Sequence, residues 1–151
     1  MFSVFGIILL VVMILSSLAL LLHYRVMKSR GKVDESFQLL DTFLRDRFDL
    51  IMKLSRDTSS EEKIMQYWKD NLVASTQQLI KVMPKLNKAI TPLLDDPEKS
   101  EILIEDFQDL EFVVKMYNEH VQIYNDIVSQ FPWSAIAFIS GLKVESKIKV
   151  D

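Results

Sequence analysis

The chain has 151 residues, of which 18 are lysine or arginine and 21 are aspartate or glutamate, and it contains no cysteine. The lack of cysteine excludes disulfides, thiolate metal sites and a lipoprotein anchor. Only three glycines and four prolines interrupt the sequence, so the composition predicts an all-helical protein. The acids concentrate in residues 95–126, and because nucleic-acid affinity comes mostly from clustered lysine and arginine, we do not expect nucleic acid as a partner.

Residues 4–22 form an apolar run without acid, base, proline or amide. As a helix the run would cover about 28 Å at about 1.5 Å per residue, close to the hydrocarbon thickness of a bilayer. A cleaved signal peptide is the alternative, with Ser17 and Ala19 as a weak cleavage signal. The run is longer than a signal core, however, and no lysine or arginine precedes it. We therefore expect a transmembrane anchor in residues 1–24.

Four basic residues follow the run by residue 32, namely Arg25, Lys28, Arg30 and Lys32. Segments rich in lysine and arginine next to a membrane span stay in the cytoplasm. The sequence therefore predicts a single-pass protein with its N-terminus outside and its C-terminal domain in the cytoplasm. The lipid bilayer is the first expected partner, through residues 4–22.

The first segment after the anchor carries one apolar stripe at steps of three and four, including Val33, Leu40, Leu44 and Ile51. This stripe predicts a helix over residues 32–57. Gly31 is the only weak point between that helix and the anchor. Since an isolated glycine costs only about 1 kcal/mol in a helix, the sequence allows one continuous helix.

The second segment opens at Ser59 and Glu62, which have the spacing of a capping box, and its apolar stripe continues to residue 93. Pro84 lies inside this segment. A proline within a helix removes one hydrogen bond and clashes with the preceding turn, so we expect a kink or break near residues 80–84.

The third segment begins with Asp96, the predicted N-cap, and Pro97, which suits the first helical position. Its stripe keeps steps of four and three from Leu103 to Phe131, and Pro132 ends it. A seam of period 3.5 indicates near-parallel packing with a slight supercoil, as in helical bundles and coiled coils.

Each of the three segments would be about 50 Å long as a helix, so they can pair along their whole length. We expect an all-α fold: an N-terminal transmembrane helix followed by an up-and-down bundle of three long antiparallel helices, plus a short C-terminal helix. In this up-down-up order the first and third helices run parallel. The expected domains are the anchor in residues 1–24, the bundle in residues 25–132, and a short apolar helix with a basic tail in residues 133–151.

The sequence contains no constellation that predicts catalysis. Neither His23 nor His120 has a glutamate three residues before it, so the Glu-x-x-His pattern of di-iron bundles is missing. Glycine-rich phosphate loops, HExxH and Gly-x-Ser-x-Gly are also missing. Acid pairs such as Glu105 with Asp109 favour a solvated helix face over a metal site. We therefore expect no catalytic residue, no bound metal and no cofactor.

Arg47 falls at a seam position of the first predicted helix, where an unpaired charge would be costly. In an up-down-up bundle it lies at about the same height as the middle of the third helix. The sequence therefore predicts a cross-helix ion pair between Arg47 and Glu111, or the nearby Asp109 or Glu105.

A second polar pattern is a repeat on the third helix, where Tyr117 and Asn118 recur seven residues later as Tyr124 and Asn125. Tyrosines can fill a seam with their hydroxyls at its wet edge. Asparagine is only an average helix former, so two asparagines in register indicate a shared role.

Residues 133–142 form an apolar piece that is too short to span a bilayer. Two outcomes stay open for it. The piece folds back as a short fourth helix over the end of the bundle, because its apolar side chains would otherwise be an aggregation liability. Alternatively it forms an exposed patch that a partner covers, with Trp133 and Phe138 as its anchors.

These residues, with the anchor before them, resemble the LemA family of small bacterial membrane proteins. The first block reads V-D-E and then D-x-x-L-x-x-R-x-D-L-I between Val33 and Ile51, and the second reads L-E, Y-N, Y-N, F-P between Leu110 and Pro132. The chain departs from the family at Met52 and Lys53, where Pro-Asn is common, and at Lys115, where arginine is usual. The motif and interaction residues that we single out are Asp41, Arg47, Asp49, Glu111, Tyr117, Asn118, Tyr124, Asn125, Phe131, Pro132, Trp133 and Phe138.

The resemblance implies a single N-terminal anchor in the inner membrane, a helical bundle and an N-terminus outside, and it implies no activity. We therefore expect a non-enzymatic scaffold or adaptor that binds another protein of the cell envelope. Two alternatives stay open. One is a metal-dependent or enzymatic protein that uses the acidic third helix. The other is a structural membrane homo-oligomer, although the anchor has no small-xxx-small motif for tight pairing.

Overall fold

A computed structural model describes residues 3–71 and 73–149 of the chain. In these ranges the chain is all-helical without a strand, as the composition predicts. The helices are α1 (Val4–Ser55), α2 (Glu61–Asn71), α3 (Thr76–Ala89), a 3-10 helix (Thr91–Asp95), α4 (Pro97–Ser129) and α5 (Trp133–Ile139). Leu72 of the predicted second stripe, the first two residues of the anchor and the last two of the tail lie outside the described residues.

Helix α1 is continuous through Gly31, and a Cβ atom added there would meet no other atom within 4 Å. The surface of α1 changes along its length. Every described large hydrophobic residue from Val4 to Leu21 is exposed, whereas Val26 is fully buried and begins a buried stripe that continues to Ile51. The N-terminal part of α1 is therefore long and apolar enough to cross a membrane.

The predicted break near residues 80–84 is wrong, because Pro84 lies inside α3 on its exposed face. The helix ends instead before residues 73–75, and Ser75 caps a new helix. The Ser75 hydroxyl accepts the Gln78 N–H at 3.4 Å, and the Gln78 side chain accepts the Ser75 N–H at 2.8 Å. This capping box satisfies two donors at the start of α3, so the chain turns at Ser75 rather than at the proline.

The start of α4 is as predicted. The Asp96 carboxylate accepts the N–H groups of Glu98 and Lys99 at 3.1 and 3.4 Å, and α4 begins at Pro97. The start of α2 differs from the predicted capping box of Ser59 and Glu62. There the Asp57 N–H donates to the Glu61 carboxylate at 2.8 Å.

Contacts group the chain into two units. One unit comprises Met1–Asp34 and Glu119–Lys147, and we call it the anchor unit. The other comprises Glu35–Asn118 and Ile148–Asp151, and we call it the bundle unit. The core of the bundle unit collects buried apolar residues from all its helices, among them Leu44, Ile64, Met83, Leu93 and Leu110.

Within the bundle unit, α1 and α4 run antiparallel. The Phe37 ring packs against the Tyr117 ring at 5.8 Å, and Arg47 pairs with Asp106, so residue numbers rise along α1 as they fall along α4. The predicted up-down-up bundle, with its first and third long helices parallel, is therefore wrong. The turn between α2 and α3 adds one chain reversal, and this extra reversal makes α4 antiparallel to α1 within the bundle unit.

In the anchor unit the side chains of Val26, Val33, Val121, Tyr124 and Ala137 are buried. Helix α5 lies beside the end of the apolar run, because the Arg25 guanidinium carbon is 4.7 Å from the centroid of the Trp133 ring. A parallel arrangement of the first and third long helices would instead have placed the end of the last one about 50 Å from the apolar run.

Candidate functional site

Arg47 is the largest fully buried side chain in the described residues. Its side chain is 1% exposed and forms an ion pair with the Asp106 carboxylate, which is 9% exposed. A second guanidinium nitrogen, Nη2, donates to the Asn87 side-chain oxygen at 3.1 Å, and the ring of Phe107 lies 5.8 Å from the guanidinium carbon. Burial lowers the pKa of Arg47 and raises the pKa of Asp106, while the attraction between the two charges opposes both shifts.

The predicted ion pair therefore exists, but its predicted partners are wrong. Glu111 is exposed, and so are Asp109 and Glu105. The antiparallel arrangement explains the difference. Since Phe37 lies opposite Tyr117, the residue opposite Arg47 is expected about ten positions before Tyr117, which is where Asp106 lies.

Asp41 and Arg45 fasten the turn before α3 to α1. The Asp41 carboxylate accepts from Arg45 Nε at 2.9 Å and from the Thr76 hydroxyl at 2.6 Å. Arg45 also donates to the backbone oxygen of Ala74 at 3.1 Å. The hydrogen bond from Arg45 is the main cause that holds the pKa of Asp41 below its ordinary value of 3.8. This side-chain cluster connects α1 with the start of α3.

Asp49, two turns further along α1, fastens α2. Its carboxylate accepts the indole N–H of Trp68 at 3.1 Å. The two side chains border a cleft of about 210 Å³, which Arg45, Phe48, Asn71 and Leu79 also line. Pockets for drug-sized ligands usually measure about 300–1,000 Å³. The contact is therefore best explained as a fastening of α2 onto α1.

In the bundle unit, Asn118 holds the backbone of Ile148 through two hydrogen bonds. Its amide nitrogen donates to the Ile148 oxygen at 2.7 Å, and its amide oxygen accepts the Ile148 N–H at 2.8 Å. Ile148 also packs against the core of this unit. A side-chain amide that donates and accepts in this way satisfies a stretch of chain without secondary structure of its own.

In the anchor unit, Asn125 holds Glu145 in the same manner. Its amide nitrogen donates to the Glu145 oxygen at 2.8 Å, and its amide oxygen accepts the Glu145 N–H at 2.8 Å. The buried Tyr124 donates its hydroxyl to the Lys143 oxygen at 3.0 Å. Burial raises the pKa of Tyr124, and the Arg30 charge opposes this rise. The repeated Tyr-Asn pattern thus places one asparagine clamp in each unit, and both clamps bind the C-terminal tail.

We expect Asn125→Ala to release residues 143–146 while the helices stay intact. Two hydrogen bonds to Glu145 are lost, each worth about 0.5–1.5 kcal/mol, so exchange of the Glu145 amide should accelerate about tenfold or more. Hydrogen exchange on the full chain in detergent measures this rate. Asn71→Ala is the control, because Asn71 Nδ2 donates to the backbone oxygen of Tyr67 in its own helix at 2.8 Å. Unchanged exchange at Glu145 would show that the clamp does not hold the tail.

The predicted interaction residues between α4 and the end of α5 fall into two groups, one engaged in the fold and one exposed. Pro132 is the N-cap residue of α5, and Trp133 is half-buried beneath Arg25. Phe131 and Phe138 are 85% and 86% exposed. The piece therefore does form a short helix, but that helix leaves two large aromatic side chains uncovered.

Among the partners of the predicted residues that sequence reasoning missed are Thr76, Asn87 and Asp106. Thr76 and Asn87 carry only a weak signal, because Thr76 falls at a position of the second apolar stripe and Asn87 follows the stripe residue Leu86. Asp106 precedes Phe107 of the third stripe. Only the direction of α4 decides which acid on this helix meets Arg47.

The polar contacts of both units hold helices and tail in place. Within residues 3–71 and 73–149, no group of three or more His, Asp or Glu side chains is arranged to hold a metal ion. The contacts thus account for Asp41, Arg47, Asp49, Asn118, Tyr124 and Asn125 as structural residues. In comparisons with protein-family models, curated proteins and solved structures, the chain matches none of them.

Proposed function

We propose that the protein is a membrane-anchored, non-enzymatic scaffold or adaptor of the LemA type. The change of surface along α1 is the observation that carries this proposal. From Val4 to Leu21 no described side chain of α1 is buried, and from Val26 onward the same helix buries a stripe of side chains. A helix that is apolar on all sides and uncovered needs an apolar solvent, whereas a helix with one buried stripe belongs to a bundle in water.

The roles of the motif residues support a scaffold rather than an enzyme. Asp41 and Asp49 fasten α3 and α2 onto α1, and Arg47 pairs with Asp106 across the bundle. Asn118 and Asn125 clamp the tail. Because these residues are engaged in internal contacts, we expect a partner protein to bind the outer faces of the helices.

The orientation is part of the proposal. Arg25, Lys28, Arg30 and Lys32 follow the exposed apolar part of α1, and such residues favour the cytoplasmic side. We therefore assign the protein to the inner membrane of a bacterial cell, with its N-terminus outside and the helical units in the cytoplasm. The expected partner is another protein of the cell envelope.

Cysteine labelling tests the anchor and its orientation together, since the wild-type chain has no cysteine. In intact cells, Ser3→Cys should react with a membrane-impermeant thiol reagent, whereas Ser146→Cys should be protected until the cells are permeabilised. The wild-type chain is the control and should stay unlabelled. Labelling of Ser146→Cys but not Ser3→Cys would reverse the orientation, and labelling of both in intact cells would contradict a cytoplasmic domain.

A further inference from the structure

The end of α4 and helix α5 expose large apolar side chains outside the apolar run of α1. Phe131, Phe138 and Ile139 are 85%, 86% and 81% exposed. Ala137 on the same short helix is buried, and Trp133 and Ile136 are half-buried. Helix α5 thus has an inner face toward other residues of the anchor unit and an outer face of large apolar side chains that residues 3–71 and 73–149 leave uncovered. Exposed apolar side chains that cluster in this way are typical of a contact site for a protein or a membrane.

The position of α5 in the anchor unit indicates what that partner is. The ring of Trp133 lies 4.7 Å from the guanidinium carbon of Arg25, and Arg25 follows the last residue of the apolar run, Leu22, by three positions. Three residues of helix rise about 4.5 Å, so with the proposed anchor in a bilayer Arg25 would lie at the level where acyl chains give way to headgroups. Helix α5 is attached at that level by its own tryptophan.

The segments that adjoin the end of the apolar run and α5 in the sequence have the composition of a membrane interface. In residues 23–34 and 131–147 there are six basic side chains, Arg25, Lys28, Arg30, Lys32, Lys143 and Lys147, and only two acidic ones. Tyr24 is 64% exposed, and the Lys28 ammonium lies 5.9 Å from the centroid of its ring. Tyrosine and tryptophan concentrate at the headgroup level, and basic residues there attract anionic lipids.

We propose that α5 is a second membrane contact, which lies in the interface next to the anchor and inserts Phe131, Phe138 and Ile139 among the acyl chains. Arg25 positions the helix by stacking on Trp133 and extends its charge to the lipid headgroups, as arginine does at membrane edges. The basic residues around it bind anionic lipids. This inference rests on the proposed transmembrane anchor, since only a bilayer around the apolar run brings lipid to α5.

Two membrane contacts, the anchor and α5, would restrict the rotation of the anchor unit, which a single anchor does not. A single helix is free to rotate and tilt about its own axis in the bilayer. A second contact at the end of α4 fixes the rotation of the anchor unit against the membrane surface. The anchor unit would therefore present one constant face toward the cytoplasm, which suits an adaptor.

Site-specific fluorescence on the full chain tests this inference. Single cysteines at Phe138, Ile123 and Leu15 are each labelled with a polarity-sensitive fluorophore, and the purified chain is reconstituted into vesicles of phosphatidylcholine with phosphatidylglycerol. Matched vesicles contain a lipid spin label near the glycerol end or in the middle of the acyl chain. Ile123 is the matched control, because it is an apolar residue of the same unit on α4 and is 54% exposed.

We expect the shallow spin label to quench the fluorophore at Phe138 about twofold or more, because the apolar face of an interfacial helix lies about 5–10 Å into the headgroup and acyl boundary. The fluorophore at Ile123 should be unaffected, and the one at Leu15 should respond to the deep spin label. A second labelled position, Ile139→Cys, should give the same result as Phe138. It shows that the result does not come from a disturbance caused by substitution at one position.

Three other results would overturn the inference. They distinguish a failure of the second membrane contact from a failure of the proposed transmembrane anchor. Quenching at Leu15 without quenching at Phe138 or Ile139 would leave the anchor standing and remove the second contact. A blue-shifted emission at Phe138 without quenching would mean that protein, such as a second copy of the chain, covers α5 instead of lipid. No quenching at Leu15 would remove the transmembrane anchor, and the inference that rests on it.

Discussion

Asp106→Asn is expected to lower the free energy of unfolding by about 3–5 kcal/mol, because it leaves the buried Arg47 charge without its partner. The Arg47 side chain is 1% exposed, so water cannot replace the lost carboxylate. The remaining hydrogen bond, to Asn87, is made with a neutral group. A buried charge with only a neutral partner is among the few single changes that destabilise a small domain by this much.

Denaturant unfolding of the full chain in detergent micelles, followed by circular dichroism, measures this change. The double variant Arg47→Met/Asp106→Leu should recover most of the loss, because apolar residues of similar volume often replace a buried ion pair at little cost. Asp34→Asn is the matched control. Its pair with Arg30 is 3.9 Å long with side chains 37% and 62% exposed, so the change should cost less than about 1 kcal/mol. An equally small effect of Asp106→Asn would mean that water reaches the pair.

The double variant Val12→Arg/Leu15→Arg is expected to abolish stable membrane association. On the insertion scale, each change from an aliphatic residue to arginine near the centre of a span costs about 3–4 kcal/mol, so the pair costs about 6–8 kcal/mol. Val12 and Leu15 are 56% and 59% exposed in the chain itself, and therefore neither change disturbs a protein contact. The share of the chain that stays in the membrane pellet after an alkaline wash measures the effect.

Met27→Arg/Leu39→Arg is the matched control for the anchor. These two residues are also apolar, exposed and on α1, at 43% and 48%, but they follow the apolar run. This variant should remain in the membrane pellet like the wild-type chain. Release of the wild-type chain by the alkaline wash, or retention of Val12→Arg/Leu15→Arg, would contradict the proposed anchor.

Features that depend on neighbours in the sequence were predictable from it. The apolar run, the helical content and the start of α4 at Asp96 and Pro97 follow from local composition, periodicity and capping. The seam position of Arg47 also predicted its burial and its need for an acid, because a charge in an apolar stripe has few other outcomes. The repeat of Asn118 and Asn125 indicated a shared role, although nothing in the sequence pointed to the tail as what they hold.

The direction of α4 was not predictable in this way, and most errors follow from it. The capping box of Ser75 and Gln78 competes with an apolar stripe that continues past it, and Pro84 offered a more conspicuous break. A turn at residues 73–75 instead of a bent helix changes the number of chain reversals from two to three, which reverses α4 relative to α1 within the bundle unit. Periodicity reports which face of a helix is buried and carries no information on how often the chain turns back.

The sequence by itself therefore determined that this protein is helical, that one of its helices suits a bilayer, and which side chains must be buried or paired. The tertiary structure alone decided that Arg47 meets Asp106 rather than Glu111, that the asparagines hold the tail, and that Trp133 lies against Arg25 at the end of the apolar run. Each of these contacts joins residues at least 20 positions apart in the chain. Such contacts depend on the path of the chain between the two residues, which no local pattern encodes.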